Sequence, residues 1–458
     1  MTISTHGALS RLHKFAGVII APFLIVAALS GFLYALAPTF EPWIYHDEVT
    51  ATAQGSPRSL DEQIAAAQRQ HPDGTVVRVE PSEDPQETTR VLFDVPTAPS
   101  SSYTHAVFVD PVDLHITGEL QQYGGSRALP FRTWASNGHR TLWLGEPGRL
   151  YAELAASWLG ALSILGLYLW LKRKQRNKKQ PSKVLALHAR VGAWLLPGFL
   201  FLTVTGLTWS LVAGTSSGKV REELNWKEPS VATSVAEAGA STGTGEHANH
   251  AGHAGHAGHT GHHDAAELAG AQTAESTARS QGLTGVLEMT PPEKSGDAWG
   301  VREARAAFKL RSDAVAVTPN GEVIDRINSA DWPLAAQLTS WLIQLHMGTL
   351  FGIYSQVALA VLALGLLVVS IAGLWMWWKK PRRSLPELKI TPAVLAGAVA
   401  YSLIAPLFGA SLLLFFVGDW IVRRLRAPKR DRGAAAGEVT PRPRGESSSR
   451  SLSTVRNG

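Results

Sequence analysis

Hydrophobic and polar positions along this chain fall into long blocks. Four apolar blocks cover residues 15–37, 151–171, 191–213 and 353–378. Each is long enough to cross a hydrocarbon core of about 30 Å as a helix, which takes about 20 residues. A fifth block, 390–422, is interrupted by Pro406 and Gly409 and predicts a short helical hairpin that turns there. The first block has Arg11 and Lys14 in front and Ala35-Leu36-Ala37 behind, as a signal peptide would. Its apolar run exceeds the roughly 7–15 residues of a signal core, so it reads as a retained membrane span.

The polar blocks set the expected topology. Lys172-Arg173-Lys174 and the basic residues up to Lys179 follow the second span, and Lys379-Lys380-Pro381-Arg382-Arg383 follows the fourth. Short basic segments beside spans remain in the cytoplasm, so the N-terminus is expected inside and the loops 38–150 and 214–352 outside. In a soluble protein such runs would suggest nucleic acid; next to membrane spans they are topological, and no nucleic-acid partner is expected. The tail 427–458 is basic and rich in Ser, Gly and Pro, the composition of a disordered segment.

The blocks also repeat. With His13 aligned on His188, Leu12 meets Leu187, Gly17 meets Gly192, Pro22 meets Pro197 and Gly31 meets Gly206. With His139 aligned on His346, Trp134 meets Trp341, Gly145 meets Gly352, Gly166 meets Gly373 and Trp170 meets Trp377. The chain therefore reads as two copies of one unit: a span, an external domain and a returning span. His13 and His188 then lie at the cytoplasmic ends of the first and third spans, and His139 and His346 on the outer side.

Composition narrows the chemistry. Of 458 residues, 17% are charged and 45% hydrophobic, which excludes a disordered chain and argues against an ordinary soluble enzyme. Cysteine is absent, which removes disulfides, zinc–thiolate sites, iron–sulfur clusters, cysteine nucleophiles and covalently attached c-type haem. Histidines beside membrane segments are costly and usually functional. Two imidazoles from facing helices on each side of a membrane match bis-histidine ligation of b-type haem, so two haem b groups are expected. The competing readings are histidines that snorkel to water with glycines that only pack helices, or zinc, whose further ligands are not evident beside either pair. Glu153, just inside the second span, offers a proton relay or a quinol contact, against an interfacial carboxylate reaching water.

In the external loops, a short amphipathic helix over 59–71 precedes strand candidates at 75–80, 89–95 and 104–109, with a hairpin closing near Thr117-Gly118-Glu119-Leu120. In the second loop, 300–309 and 314–324 read as strand, turn and strand, with a less evident helix. Between the modules lies an Ala-, Gly-, Thr- and Ser-rich insertion over 228–280. It carries His247, His250, His253, His256, His259, His262 and His263. Imidazoles at this density chelate transition metals, and glycine between them implies a flexible chelator; the alternative is a linker that tolerates histidine.

Arg11-Leu12-His13-Lys14, Pro22, Leu29-Ser30-Gly31, the Gly-Glu-Pro-Gly-Arg-Leu run from 145, Leu345-His346 with Gly348, Phe351-Gly352 and Gly-Leu-Trp-x-Trp-Trp-Lys at 373–379 resemble the PepSY-associated transmembrane family. Asp110-Pro111 and Gly118-Glu119 resemble the strand end of a PepSY module. The resemblance covers about 6–425 without the insertion. It implies an iron-regulated protein of the bacterial cytoplasmic membrane, some relatives being haem-dependent reductases of ferric siderophores. His13, His139, His188 and His346 would then be the haem ligands. The His-rich insertion departs from the family pattern and leaves iron and copper both open.

The expected fold is a mainly α membrane protein: a duplicated unit giving four long transmembrane helices plus a C-terminal short helical hairpin, with two small α+β PepSY-like extracytoplasmic modules. The expected segments are 1–37 (N-terminus and first span), 38–138 (module), 139–171 (second span with its lead-in) and 172–184 (basic loop). They continue with 185–213 (third span), 214–340 (insertion 228–280 and degenerate module 281–330), 341–378 (fourth span with its lead-in), 379–426 (basic loop and hairpin) and 427–458 (tail). The expected activity is transmembrane electron transfer from membrane quinol or a separate reductase to an extracytoplasmic ferric chelate. No Gly-rich dinucleotide fingerprint is evident. Two alternatives belong to other classes: an extracytoplasmic metal-binding or transport-accessory protein, and a regulatory membrane protein.

Overall fold

A computed structural model describes residues 5–175, 182–234, 268–294, 296–379 and 391–426. The seven histidines of 247–263 and the tail 427–458 lie outside the described residues.

The membrane part is helical because a spanning segment must satisfy its backbone polar groups internally. Helix α1 (Thr5–Ile44) has 40 residues. At 1.5 Å per residue it is about 60 Å long, twice a hydrocarbon core of about 30 Å, so it projects well beyond the span. A single turn, α2 (His46–Val49), leads to α3 (Leu60–Gln70), whose N-terminus is a capping box of Ser59 and Glu62. Strands β1 (Val76–Glu80), β2 (Thr89–Asp94), β3 (Tyr103–Val109) and β4 (Ile116–Tyr123) follow. Helix α4 (Pro130–Thr141) returns the chain to the membrane and precedes the second span, α5 (Gly145–Gln175).

The second half runs through α6 (Lys183–Trp194), α7 (Leu196–Leu207), α8 (Val212–Glu223) and α9 (Ala271–Ser280). Strands β5 (Leu287–Thr290), β6 (Trp299–Glu303), β7 (Ala314–Val317) and β8 (Val323–Ile327) come next. They are followed by α10 (Leu334–His346), α11 (Ile353–Trp378), α12 (Pro392–Ile404) and α13 (Pro406–Arg426).

The described residues are thus mainly helical with one sheet. Among them three helices, α1, α5 and α11, are long and apolar enough to cross a membrane, and α6 with α7 makes a fourth if that bent pair is one span. The third span, expected over 185–213, is not one straight helix: α6 and α7 bend by 61° at Leu195. Pro197 at the start of α7 cannot donate an N–H and crowds the preceding turn. Pro22, its counterpart in the sequence alignment, sits inside an unbroken α1.

The sheet also differs from two separate modules. All eight strands form one antiparallel sheet in the order β4-β3-β2-β1-β5-β6-β7-β8. Two four-stranded meanders meet at β1 and β5, through Val79 opposite Met289 and the Leu287 N–H donating to the Pro81 carbonyl at 3.2 Å. Helices α3 and α9 share one core over this sheet, with Leu60, Ile64, Ala67, Ala271, Ala274 and Ala278 packed on Val79, Val91, Met289 and Trp299. The Asp61 carboxylate on α3 accepts the N–H groups of Gly270, Ala271 and Gln272, capping α9 from the other half of the chain. Helix α9 falls in the stretch assigned by composition to the insertion 228–280. Its buried stripe is alanine, so a helical face read there as low complexity.

Candidate functional site

Four histidines stand at the ends of the helical bundle. His13 on α1 and His188 on α6 are paired edge-on, with ring centroids 6.2 Å apart and planes at 84°. His139, near the C-terminal end of α4, and His346, at that of α10, face each other at 6.3 Å and 58°. All four rings are partly buried.

In three rings Nδ1 is engaged by a neighbouring helix. The His139 Nδ1–H donates to the Ala27 carbonyl at 2.8 Å and the His188 Nδ1–H to the Val369 carbonyl at 2.9 Å. His346 Nδ1 lies 2.7 Å from Thr205 Oγ1. The single hydrogen of that hydroxyl goes to the Phe201 carbonyl at 2.7 Å, so Thr205 accepts from His346. The carbonyl beside His13 is that of Leu162, although His13 Nδ1 falls short of full hydrogen-bond geometry. A carbonyl can only accept, so Nδ1 carries the proton and the Nε2 lone pair is left to ligate, the arrangement in which metal-bound histidines are held.

Glycines bring the backbones close. Gly166 and Gly373 lie behind His13 and His188, where an added Cβ would come within 3.3 and 3.6 Å of Cε1. At Gly31 a Cβ would come within 3.0 Å of His139 Nδ1. Gly17 faces open space, and Gly192 and Gly206 would meet only Val369 at 4.0 Å and Ala156 at 3.9 Å.

These features can be tested against a haem. A metal–imidazole bond is about 2.0 Å, so two rings on opposite faces of one iron have centroids about 6.3 Å apart. Both pairs have that spacing. The His139–His346 pair borders a cavity of about 2550 Å³ that reaches the sheet, with Ala28, Gly31, Ala156 and Gly206 among its lining. Ligand pockets usually span about 300–1,000 Å³, so room is not limiting. Among the described residues, none of the four histidines belongs to a group of three metal-capable side chains. The donor set of two imidazoles therefore fits an axial pair better than a tetrahedral ion.

The sheet end of the cavity is charged. Glu288 on β5 is buried and lies 2.6 Å from Arg302 on β6. Burial pushes the Glu288 carboxyl up, but the charges of Arg302 and Arg78 outweigh it and hold the group down to about 2. Arg302 also meets Glu228 at 3.2 Å. Helix α4 is tied to α1 by a buried pair, Glu41 and Arg132 at 3.1 Å, and by the Leu129 N–H donating to Glu41 Oε1 at 3.1 Å.

Glu153 is not an interfacial carboxylate reaching water. It is 2% exposed and accepts the N–H groups of Val212 at 2.8 Å and Ala213 at 3.0 Å, capping the first turn of α8. Three residues around His346 escaped the sequence reading: Thr205, Trp209 at 5.5 Å and Phe201 at 6.3 Å between centroids. The available signal was Thr205 falling opposite Ser30 when the two copies are aligned.

The sequence profile of one family, described as the PepSY-associated TM region, matches residues 10–380, well over half of the chain. No curated protein gives a significant match.

Proposed function

The chain belongs to the PepSY-associated TM region family, and from that membership and the two imidazole pairs we propose that it carries electrons across the bacterial cytoplasmic membrane to a ferric chelate outside. The observation that carries this reading is the shared ring spacing, 6.2 Å for His13 with His188 and 6.3 Å for His139 with His346. Each pair would hold one haem b through its Nε2 atoms. Bound there, haem supplies a one-electron couple.

The protein's own groups do the rest. The Val369 and Ala27 carbonyls and the Thr205 hydroxyl hold the Nδ1 protons and orient the rings. Arg140, Arg149, Arg302 and Arg305 line the cavity beside the outer pair and suit an anionic chelate. Each ferric centre takes one electron and leaves as ferrous iron, which the chelator holds less tightly. Electrons come from membrane quinol or a separate reductase at the inner pair. The N-terminus is cytoplasmic by the basic segments after the second and fourth spans. The two halves are copies of one unit, and the sheet joins their PepSY-like modules outside the membrane. The histidines 247–263 capture metal near the outer surface.

Reduced-minus-oxidised spectra of the purified protein test this reading. The wild type is expected to show b-type haem that a ferric siderophore reoxidises. Preparations made with ample haem supply that contain none would overturn the proposal.

A further inference from the structure

A second histidine cluster lies in the sheet module, away from the membrane. His71 follows α3, His105 is on β3 and Glu119 is on β4. Nε2 of His71 and Nε2 of His105 both approach one oxygen, Glu119 Oε2, at 3.1 and 3.0 Å. The rings stand nearly edge-on with centroids 4.9 Å apart, and the three donor atoms lie within 4.8 Å of one another. None of the three lines the cavity beside the outer pair.

We propose that His71, His105 and Glu119 bind a divalent first-row transition-metal ion. Metal–nitrogen and metal–oxygen bonds of about 2.0–2.1 Å put the ligand atoms of a tetrahedral ion about 3.4 Å apart, close to the two imidazole–carboxylate distances. Hydrogen bonding alone would be served as well by one ring on each carboxylate oxygen; here both rings converge on the same one.

The ligands come from rigid elements. The His71 N–H donates to Ala67 of α3, its carbonyl accepts from Gly74, and its ring lies 5.3 Å from Phe93. His105 sits mid-strand, opposite Phe93 on one side and Gln121 on the other. The three side chains are 33, 32 and 29% exposed, which leaves a coordination position open to solvent. Two imidazoles and one carboxylate with an open position favour zinc, cobalt, nickel, copper or ferrous iron over calcium and magnesium. An open site also exchanges its ion, unlike a closed structural one.

The test uses the full-length protein in detergent, with the seven histidines at 247–263 changed to serine so that they do not compete. Co(II) is titrated, followed by visible absorption, and displaced by Zn(II). One equivalent is expected, with affinity lowered more than about tenfold in His105→Asn and Glu119→Gln, and unchanged in His115→Asn, an exposed histidine of the same module. Zn(II) should raise the melting temperature of the parent and not of Glu119→Gln. Equal affinities in parent and variants, or a parent that takes up no Co(II) and gains no thermal stability from Zn(II), would overturn the site. Haem spectra of the same samples report separately on the membrane histidines.

Discussion

The two imidazole pairs of the membrane bundle share a spacing and differ in what holds them. His13 on α1 and His188 on α6 lie beside the backbone carbonyls of Leu162 and Val369, which belong to the long helices α5 and α11. His139 and His346 lie on α4 and α10, outside the long spans. One of them depends on a side-chain hydroxyl, and both border the large cavity. A backbone acceptor cannot be removed by substitution, whereas a hydroxyl and an ion pair can. The His13–His188 pair is therefore set by helix packing. In the His139–His346 pair, His139 rests on the Ala27 carbonyl but His346 on the Thr205 hydroxyl, which makes that pair the more easily tuned.

Removing a ring should have the largest effect and most directly breaks the comparison. His13→Ala or His188→Ala should cost one of two haem equivalents, and His139→Ala or His346→Ala the other, counted by haem extraction. Loss of both equivalents from one substitution would show that the pairs are not independent. Next, Glu41→Ala leaves Arg132 buried without its partner. It should destabilise by about 3–5 kcal/mol, read as a lower melting temperature, with haem lost first from the outer pair.

The charged roof over the outer cavity gives a pH test. Glu288 is depressed from an ordinary 4.5 to about 2, so its stabilising pair is intact above about 4.5 and is lost as pH falls through about 2. The contribution is on the order of 3 kcal/mol. Melting temperature should fall over that window in the wild type and more weakly in Glu288→Gln.

Thr205→Val removes the acceptor of His346 Nδ1–H at nearly constant volume. It should weaken haem binding at the outer site by about tenfold and shift the midpoint potential of that haem alone. Ser30→Ala, whose hydroxyl bonds to the carbonyls of Val26 and Ala27 of its own helix, should do neither. The smallest effect expected is from Glu153→Gln, a loss of about 1 kcal/mol from weaker capping of α8, with haem content unchanged.

By itself the sequence determined where the apolar blocks lie, that the chain is a membrane protein of this family, and which segments of the first module become strands. The observed β1, β2 and β3 lie within a residue of the ranges expected. These follow from local physics: a spanning helix needs an unbroken apolar run, and a half-buried strand needs alternation. Tertiary structure alone decided that β1 and β5 pair, so that two modules become one sheet, and that Ala271, Ala274 and Ala278 form a helix face. It also decided that the third span bends at Leu195 although Pro22 leaves α1 unbroken, that Thr205 serves His346, and that His71 and His105 converge on Glu119. Each depends on residues brought together from distant parts of the chain. Local pattern reports whether a position is buried, and only packing reports which partner it is buried against.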